Sequence, residues 1–279
     1  MGLASTVATG RASAPVPWWL RVFFLVNVVQ DVGVGFSGLV FPAHIVIPLK
    51  GLSPLNARFV ACLYLGGGVV ILLAALVRRA VDTRLALYSF LAITVLVLVM
   101  TFVYWRQFTV DGIPWLWLTT YTVDPIVASY ALVRLGLIGA AAPGRHRFTA
   151  LFIAQAVVFG GAGLALLLAP DAVLGGWPWT VTRLLARVYA AFFLAFAVGA
   201  ALAAYERRPA AIRPFLVGSL VLLAFSLGTS LHHLARFHHG PGRWLWFTVH
   251  VVGLALFAVA LARLGRREGD RAHLAGAAP

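Results

Sequence analysis

Apolar residues fill this chain in eight long stretches, each close to the length of a helix that crosses a lipid bilayer. About 20 mostly apolar residues are needed for such a helix. A membrane β-barrel would instead alternate apolar and polar residues, and a segment such as 91–99 shows no such alternation. The pattern therefore predicts an all-α integral membrane helix bundle with eight transmembrane helices. They cover residues 18–41, 54–77, 85–105, 114–135, 148–169, 179–204, 214–235 and 244–264.

The second half of the chain repeats the first almost without gaps. A shift of 129 positions carries Arg58 onto Arg187 and the Trp-Leu-Trp triplet at 115–117 onto the triplet at 244–246. Each half holds four predicted helices, and an even number returns the chain to its starting side of the membrane. The two copies therefore share one orientation, as in transporters built from parallel repeats. The predicted units are repeat 1 at 17–140, repeat 2 at 145–268, and short tails at 1–16 and 269–279.

The composition of the chain is that of a membrane protein, and this changes the meaning of its large positive charge. Hydrophobic residues make up 62% of the 279 residues, charged residues only 11%, and the mean hydropathy is +0.94. A soluble domain carries about 25% charged residues, so most of this surface must contact lipid. A net charge of +14 would suggest nucleic acid in a soluble protein. Here the arginines stand at helix ends and in short tails, which argues against nucleic acid as a partner. The single Cys62 excludes an intramolecular disulfide.

The positions of the basic residues predict the orientation. Fifteen of the 22 Lys and Arg residues lie in the tails and even-numbered loops, and seven lie in the odd-numbered loops. The positive-inside rule then places both termini in the cytoplasm, in a multi-pass protein of the cell (inner, cytoplasmic) membrane. The apolar stretch that starts at Trp18 is too long for the core of a signal peptide, so we expect it to be retained as helix 1.

Polar residues within the predicted helices mark the first candidate site. Asn27, Gln30 and Asp31 lie at helical spacing on one face of helix 1, and Asp124 precedes a proline in helix 4. Both aspartates lie about ten residues, or roughly 15 Å, from the same side of the membrane. Neither has an acidic counterpart in the second copy, although Asn27 corresponds to Gln155. A ligand or proton site is one interpretation. The other is a buried hydrogen bond or ion pair that fixes the bundle, with Asp124 capping a kinked helix.

Two arginines complete this candidate site. Arg58 stands near the start of helix 2, from which its long side chain can reach inward along the helix. We therefore expect Arg58 to serve as the cation for Asp31. Its counterpart in the second half is Arg187, which we include as a candidate for the same site.

The second copy carries the histidines. His232, His233 and His250 fall near the ends of helices 7 and 8, and the last two correspond to Tyr104 and Tyr121 in the first copy. Imidazoles on adjacent helices can bind a metal ion or haem iron, or carry protons near neutral pH. They can equally be interface residues beside a wet loop, because no fixed spacing of metal ligands is present. The sequence leaves haem and metal open as cofactors.

The repeat unit resembles the four-helix membrane modules of the bacterial DoxX-like group, once in each half. The resemblance lies in a first helix that ends at Pro42 and the segment Pro-Leu-Asn-Ala-Arg at 54–58. It continues in the Gly-rich Tyr-Leu-Gly-Gly-Gly at 64–68 and the Arg pair at 78–79. It implies a four-helix membrane fold, and some members of that group are tied to quinone-linked respiration. It assigns no catalytic residue to this chain.

Three functions remain open. The first is a non-catalytic membrane-embedded binding or accessory subunit, for a hydrophobic or anionic ligand such as a quinone or lipid, or within a larger membrane complex or homo-oligomer. The second is a proton-coupled small-solute transporter that uses Asp31 and Asp124. The third is a redox protein with haem or metal at His233 and His250. Because the sequence contains no phosphate loop, HExxH or Gly-x-Ser-x-Gly, we favour binding over catalysis. We expect one site, where the acids of the first copy face the histidines of the second.

Overall fold

The chain forms the helices that the apolar stretches predict. A computed structural model describes residues 13–49, 52–107, 113–140 and 144–276. Among these residues, β-structure is limited to one isolated bridge between Pro15 and Arg79. The helices in chain order are α1 Trp18–Val40, α2 Pro54–Leu76, α3 Arg84–Val103, α4 Ile113–Arg134, α5 Thr149–Leu168, α6 Pro170–Leu174, α7 Arg183–Ala203, α8 Pro209–His232 and α9 Pro241–Gly276. The all-α prediction is confirmed.

Parts of the predicted tails and of the junction between the repeats lie outside the described residues, namely 1–12, 141–143 and 277–279. At the C-terminal end, α9 continues past residue 264, where helix 8 is predicted to end, and reaches Gly276. Most of the predicted C-terminal tail is therefore helical.

Local sequence sets where two of the helices begin. The hydroxyl of Thr182 accepts the backbone N–H of Leu185 at 3.3 Å, which caps the start of α7. The predicted start at 179 is therefore too early. The predicted start of the next helix at 214 is too late, because α8 begins at Pro209. Proline suits a first helical position, where its missing N–H would have had no partner within the helix.

Seven helices among the described residues are long and apolar enough to cross a membrane, and they include every long helix except α4. α4 forms over the predicted range, but Asp124, Pro125 and several threonines lower its hydropathy. The chain is therefore a multi-pass helical protein of the membrane type. The eighth span stays a prediction.

Apolar side chains cover the outside of the bundle, and polar ones lie within it. On α1, Val26 and Val29 are 62% and 74% exposed, whereas Asn27 is 5% exposed. On α5, Leu168 is 74% exposed and Gln155 is 6% exposed. This arrangement would be unfavourable in water, because each Å² of apolar surface left in contact with water costs about 25 cal/mol of free energy compared with burying it. It suits lipid, in which polar groups must find their partners inside the protein.

α2 and α7 form the centre of the bundle. Of their apolar windows, 67% and 78% are buried, against 17–28% for α1, α5 and α9. α2 packs on α1 and α8, and α7 packs on α5 and α3. α4 packs on α3, and α9 packs on α8. The first and second halves of the chain therefore interlock through two helix pairs, α2 with α8 and α3 with α7.

Glycines allow the backbones of α2 and α8 to meet. A Cβ added to Gly66 would lie 2.7 Å from Cβ of Leu222, and one added to Gly218 would lie 2.8 Å from the carbonyl oxygen of Gly66. Real side chains essentially never approach backbone this closely. Small residues at such a crossing let van der Waals packing replace the hydrophobic effect, which does not drive helix association in lipid.

We predict that Gly218→Val lowers the free energy of unfolding by at least about 1–3 kcal/mol, because the neighbouring backbone cannot move away. Gly228→Val is the matched control on the same helix, since a Cβ at Gly228 meets nothing within 4 Å. Unfolding in mixed detergent micelles, followed by circular dichroism, measures both variants. Equal effects of the two substitutions would contradict the role of this crossing.

Candidate functional site

Four of the predicted site residues meet at one cavity inside the bundle. Asn27, Gln30 and Asp31 reach it from α1, and Asp124 reaches it from α4. The cavity has a volume of about 60 Å³, which is enough to hold water, since one buried water needs at least roughly 10–15 Å³. We call it the acid cavity. Its polar lining consists of Asn27, Gln30, Asp31, Tyr64, Ser89, Thr94, Tyr121 and Asp124.

Hydrogen bonds organise much of this polar lining. The Asn27 amide donates to the carbonyl of Phe23 at 3.0 Å and to Oδ1 of Asp124 at 3.4 Å. The hydroxyls of Tyr64 and Tyr121 share a hydrogen bond of 2.7 Å. No lysine, arginine or histidine of the described residues lines the cavity. Because an ionised carboxylate is expensive to bury without a partner, such a space suits a proton or a small cation.

Arg58 does not form the predicted ion pair with Asp31. Its Nε donates to the carbonyl of Leu39 at 3.0 Å, and its Nη1 lies 2.7 Å from Nε2 of His233. The last carbonyls of a helix have no partners within that helix and attract cations. The end of α1 therefore holds the guanidinium away from the acid cavity.

Arg187 makes the corresponding contacts in the second half and is also absent from the acid cavity. Its Nε donates to the carbonyl of Leu167 at 3.2 Å, at the end of α5. Its guanidinium lies over the ring of Tyr104, 5.3 Å from the ring centre. The sequence placed both arginines at a ligand site, whereas the structure uses each to bind the end of a neighbouring helix.

A larger cavity lies between α2, α5, α7, α8 and α9. Its volume of about 360 Å³ falls within the range of small-molecule sites. Aromatic rings and aliphatic side chains make up nearly all of its wall. We call it the aromatic cavity, after Phe59, Phe159, Trp177, Phe193, Trp246 and His250.

Besides Ser226, whose hydroxyl donates to the carbonyl of Leu223, two groups in the wall of the aromatic cavity are placed to bind a polar atom. His250 Nδ1 donates to the carbonyl of Trp246 at 2.8 Å, which leaves Nε2 of a neutral ring as an acceptor. The indole Nε1 of Trp177 is buried and has no hydrogen-bond partner among the described residues. A buried donor left unpaired costs about 1–3 kcal/mol. The sequence analysis identified His250 as a candidate but not Trp177. The sequence does not show that the N–H of Trp177 is buried without a partner.

The walls of the two cavities contain residues at corresponding positions of the two halves of the sequence. A shift of 128 residues for α1, and of 129 residues for the later helices, carries wall residues of the acid cavity onto wall residues of the aromatic cavity. In each case a polar or titratable group has an apolar or aromatic counterpart, except for one aliphatic pair. The pairs, acid cavity first, are Gln30 and Val158, Asp31 and Phe159, Tyr64 and Phe193, Ile93 and Leu222, Thr94 and Leu223, and Tyr121 and His250.

His232 and His233 lie apart from His250, at the end of α8. Their rings meet edge to face, with centres 4.8 Å apart. Burial, and then the nearby charge of Arg58, lower the pKa of His233 below its usual value. A neutral His233 can accept the hydrogen bond from Arg58. Among the described residues, no group of three or more His, Cys, Asp or Glu side chains is placed to hold a metal ion.

The expected single site, in which the acids face the histidines, is not assembled. Asp31 and Asp124 share the acid cavity, His250 lies in the aromatic cavity, and His232 lies beside Arg58. The second-half residues that do reach the acid cavity are apolar. They are Phe192, Ala195, Phe196 and Phe215.

A buried group of charges lies at the other end of the bundle from Arg58 and His232. The sequence analysis did not identify it. Glu206 accepts from Nη2 of Arg208 at 2.6 Å and from its Nε at 2.8 Å. Arg84 lies 3.9 Å from Glu206, and Arg208 lies 3.9 Å from Asp82. The group joins the connection before α3 to the connection before α8. Asp82 and Glu206 have no acidic counterparts in the other half, where Ala211 and Val77 stand. Comparison of the halves could therefore have identified both acids.

Comparison with known proteins identifies no relative. No family model, curated protein or solved structure matches the chain. The resemblance to DoxX-like modules therefore stays a prediction, and function has to be argued from the two cavities.

We predict that Glu206→Gln lowers the free energy of unfolding by about 3–5 kcal/mol, because it removes the buried carboxylate that the buried Arg84 and the partly buried Arg208 share. Asp171→Asn is the control, since it removes an ion pair with Arg183 whose side chains are 66% and 70% exposed. Such a surface pair contributes about 0–1 kcal/mol. Detergent unfolding of the two variants compares them directly, and similar losses would contradict the structural role of the buried group.

Proposed function

We propose that this chain is a multi-pass membrane protein that binds a small hydrophobic molecule in the aromatic cavity. The observation that carries the proposal is about 360 Å³ of space between five helices, walled mainly by aromatic rings. Ligand sites are typically apolar spaces of this size with a few polar groups that fix orientation. Trp177 and His250 supply those groups. The ligand is therefore a mostly apolar molecule with a hydroxyl or carbonyl oxygen, as in a quinone or a lipid.

We also propose that the chain consists of two copies of one four-helix unit. Two four-helix repeats in the same orientation, with eight spans and both termini in the cytoplasm, explain why the helix contacts occur in pairs. The contact of α1 with α2 has its counterpart in α5 with α7, and that of α3 with α4 in α8 with α9. Side-chain contacts repeat too: Trp117 donates to Thr101 at 3.0 Å, and Trp246 donates to Ser230 at 2.9 Å. A DoxX-like module would be present twice.

Filling the aromatic cavity should weaken binding of an apolar ligand. Ala162→Phe adds a ring to the cavity wall, and Val157→Phe adds the same ring to a side chain on α5 that is 67% exposed. A dibromophenol in the cavity would quench the fluorescence of Trp177 and Trp246. We expect saturable quenching in the parent protein and in Val157→Phe, with affinity at least roughly tenfold weaker in Ala162→Phe, a loss of about 1.4 kcal/mol.

The parent protein and both variants must elute as the same single species in size-exclusion chromatography for this comparison to hold. Quenching that does not saturate, or that is equal in the three proteins, would show partition of the probe into detergent or lipid. That result would contradict the proposal.

Proton-coupled transport is a second candidate, favoured by the acid cavity. Asp31 and Asp124 line one interior space from different helices, with a hydrogen-bonded tyrosine pair and no cation among the described residues at the wall. Ionisable groups inside a membrane bundle commonly form proton pathways. The present volume of about 60 Å³ admits a proton, water or a small cation, so a solute would bind elsewhere, in the aromatic cavity.

Transport through the acid cavity predicts a proton flux that needs both aspartates. Proteoliposomes with an entrapped pH dye, driven by a potassium diffusion potential, report that flux. We expect Asp31→Asn and Asp124→Asn each to reduce it to the level of protein-free liposomes. Asp171→Asn, which changes an exposed carboxylate, should leave it unchanged. Equal flux in the parent and in the Asp31 and Asp124 variants would rule this candidate out.

A further inference from the structure

An open groove between α1, α2 and α8 combines a cationic group with apolar surface. Its volume is about 500 Å³, and its wall contains Arg58 from α2 and Thr229 and His232 from α8. Apolar residues complete the wall on both sides. We call it the Arg58 groove, and its apolar members are Leu39, Ala224, Phe225 and Gly228.

Arg58 keeps hydrogen-bonding capacity on this groove. A guanidinium has five N–H donors, and the described contacts of Arg58 engage one on the carbonyl of Leu39 and one on the imidazole of His233. No aspartate or glutamate of the described residues lies within ion-pair distance of it. In this Arg58 differs from Arg183 and Arg208, which hold Asp171 and Glu206. The charge of Arg58 is therefore available to an anion.

The rest of the groove favours an anion that carries hydrocarbon. Phe225 is 44% exposed beside the charged end, and a Cβ built on Gly228 meets nothing within 4 Å. The neighbouring helix surface is apolar as well, with Leu231 56% exposed. A free inorganic anion would contact only the polar residues Arg58, Thr229 and His232, whereas a lipid with an acyl chain would also cover the apolar wall.

We propose that the Arg58 groove binds an anionic phospholipid, with its phosphate on Arg58 and His232 and an acyl chain along Phe225 and Gly228. Arginine suits phosphate because its planar donors match two phosphate oxygens. Basic pockets between membrane helices recognise anionic headgroups by the same chemistry. This site is separate from the aromatic cavity, and the two share no lining residue. The lipid proposal therefore does not depend on the ligand proposed for the aromatic cavity.

The second half of the chain provides the control for the charge. Arg187 makes the same bond to a helix-end carbonyl, but its guanidinium lies over Tyr104. Arg58→Gln and Arg187→Gln therefore each remove a guanidinium hydrogen bond to a helix-end carbonyl. Only Arg58→Gln also removes the proposed phosphate contact. Gly228→Leu and Gly161→Leu form a second matched pair. Each adds a side chain where a Cβ meets nothing within 4 Å, but only the first enters the groove.

Native mass spectrometry of the delipidated protein with phosphatidylglycerol or phosphatidylcholine tests the site. We expect the parent protein to retain one phosphatidylglycerol in preference to phosphatidylcholine. Arg58→Gln and Gly228→Leu should each weaken that retention by roughly fivefold or more, in line with the contribution of one arginine near a headgroup. Arg187→Gln and Gly161→Leu should retain the lipid as the parent does.

Three results would overturn the proposal. Equal retention of the two lipids would show that only apolar contacts act. Equal losses in Arg58→Gln and Arg187→Gln, or in the two glycine variants, would place the lipid outside the groove. Displacement of the lipid by millimolar inorganic phosphate would assign the site to a free anion.

Discussion

The crossing of α2 and α8 at Gly66 and Gly218 is the contact on which the rest of the bundle depends. The atoms that fill the space around these glycines also line the cavities: Val70 beside Gly218 borders the acid cavity, and Leu222 beside Gly66 borders the aromatic cavity. In lipid, helices gain little from burying apolar surface against each other, so close packing has to supply the association. A wider crossing would loosen the walls of both cavities together.

Lipid as the solvent also explains how polar groups are used. Asn27 and Gln155 face inward while valines and leucines face outward, and each amide finds a partner on another helix, Asp124 and Ser219. Several arginines follow the same rule: Arg58 and Arg187 bind free carbonyls at helix ends, and Arg208 binds the buried carboxylate of Glu206. Unpaired polar groups at a cavity wall are then informative. They include the N–H of Trp177 in the aromatic cavity, the hydroxyl of Ser89 in the acid cavity and part of the Arg58 guanidinium in the Arg58 groove.

The sequence predicted the helices well because a run of about 20 apolar residues has few alternatives in a membrane. It also predicted that Asn27, Gln30, Asp31 and Asp124 belong together, since helical spacing and equal depth leave little freedom. It failed for Arg58, which has carbonyl and imidazole partners nearer than Asp31. It missed the pairing of α2 with α8, because nothing in a helix's own sequence states which neighbour it meets.

Comparison of the two halves of the sequence carries more information than either half alone. One position holds Asp31 in the acid cavity and Phe159 in the aromatic cavity, and another holds Tyr121 and His250. One framework thus supports a small polar space and a large apolar one. An electron cryomicroscopy map of the protein purified from its native membrane tests whether the apolar space is a ligand site. We expect non-protein density in the aromatic cavity, in contact with Trp177 and His250. A cavity closed by its own side chains, with Trp177 paired to a protein acceptor, would contradict it.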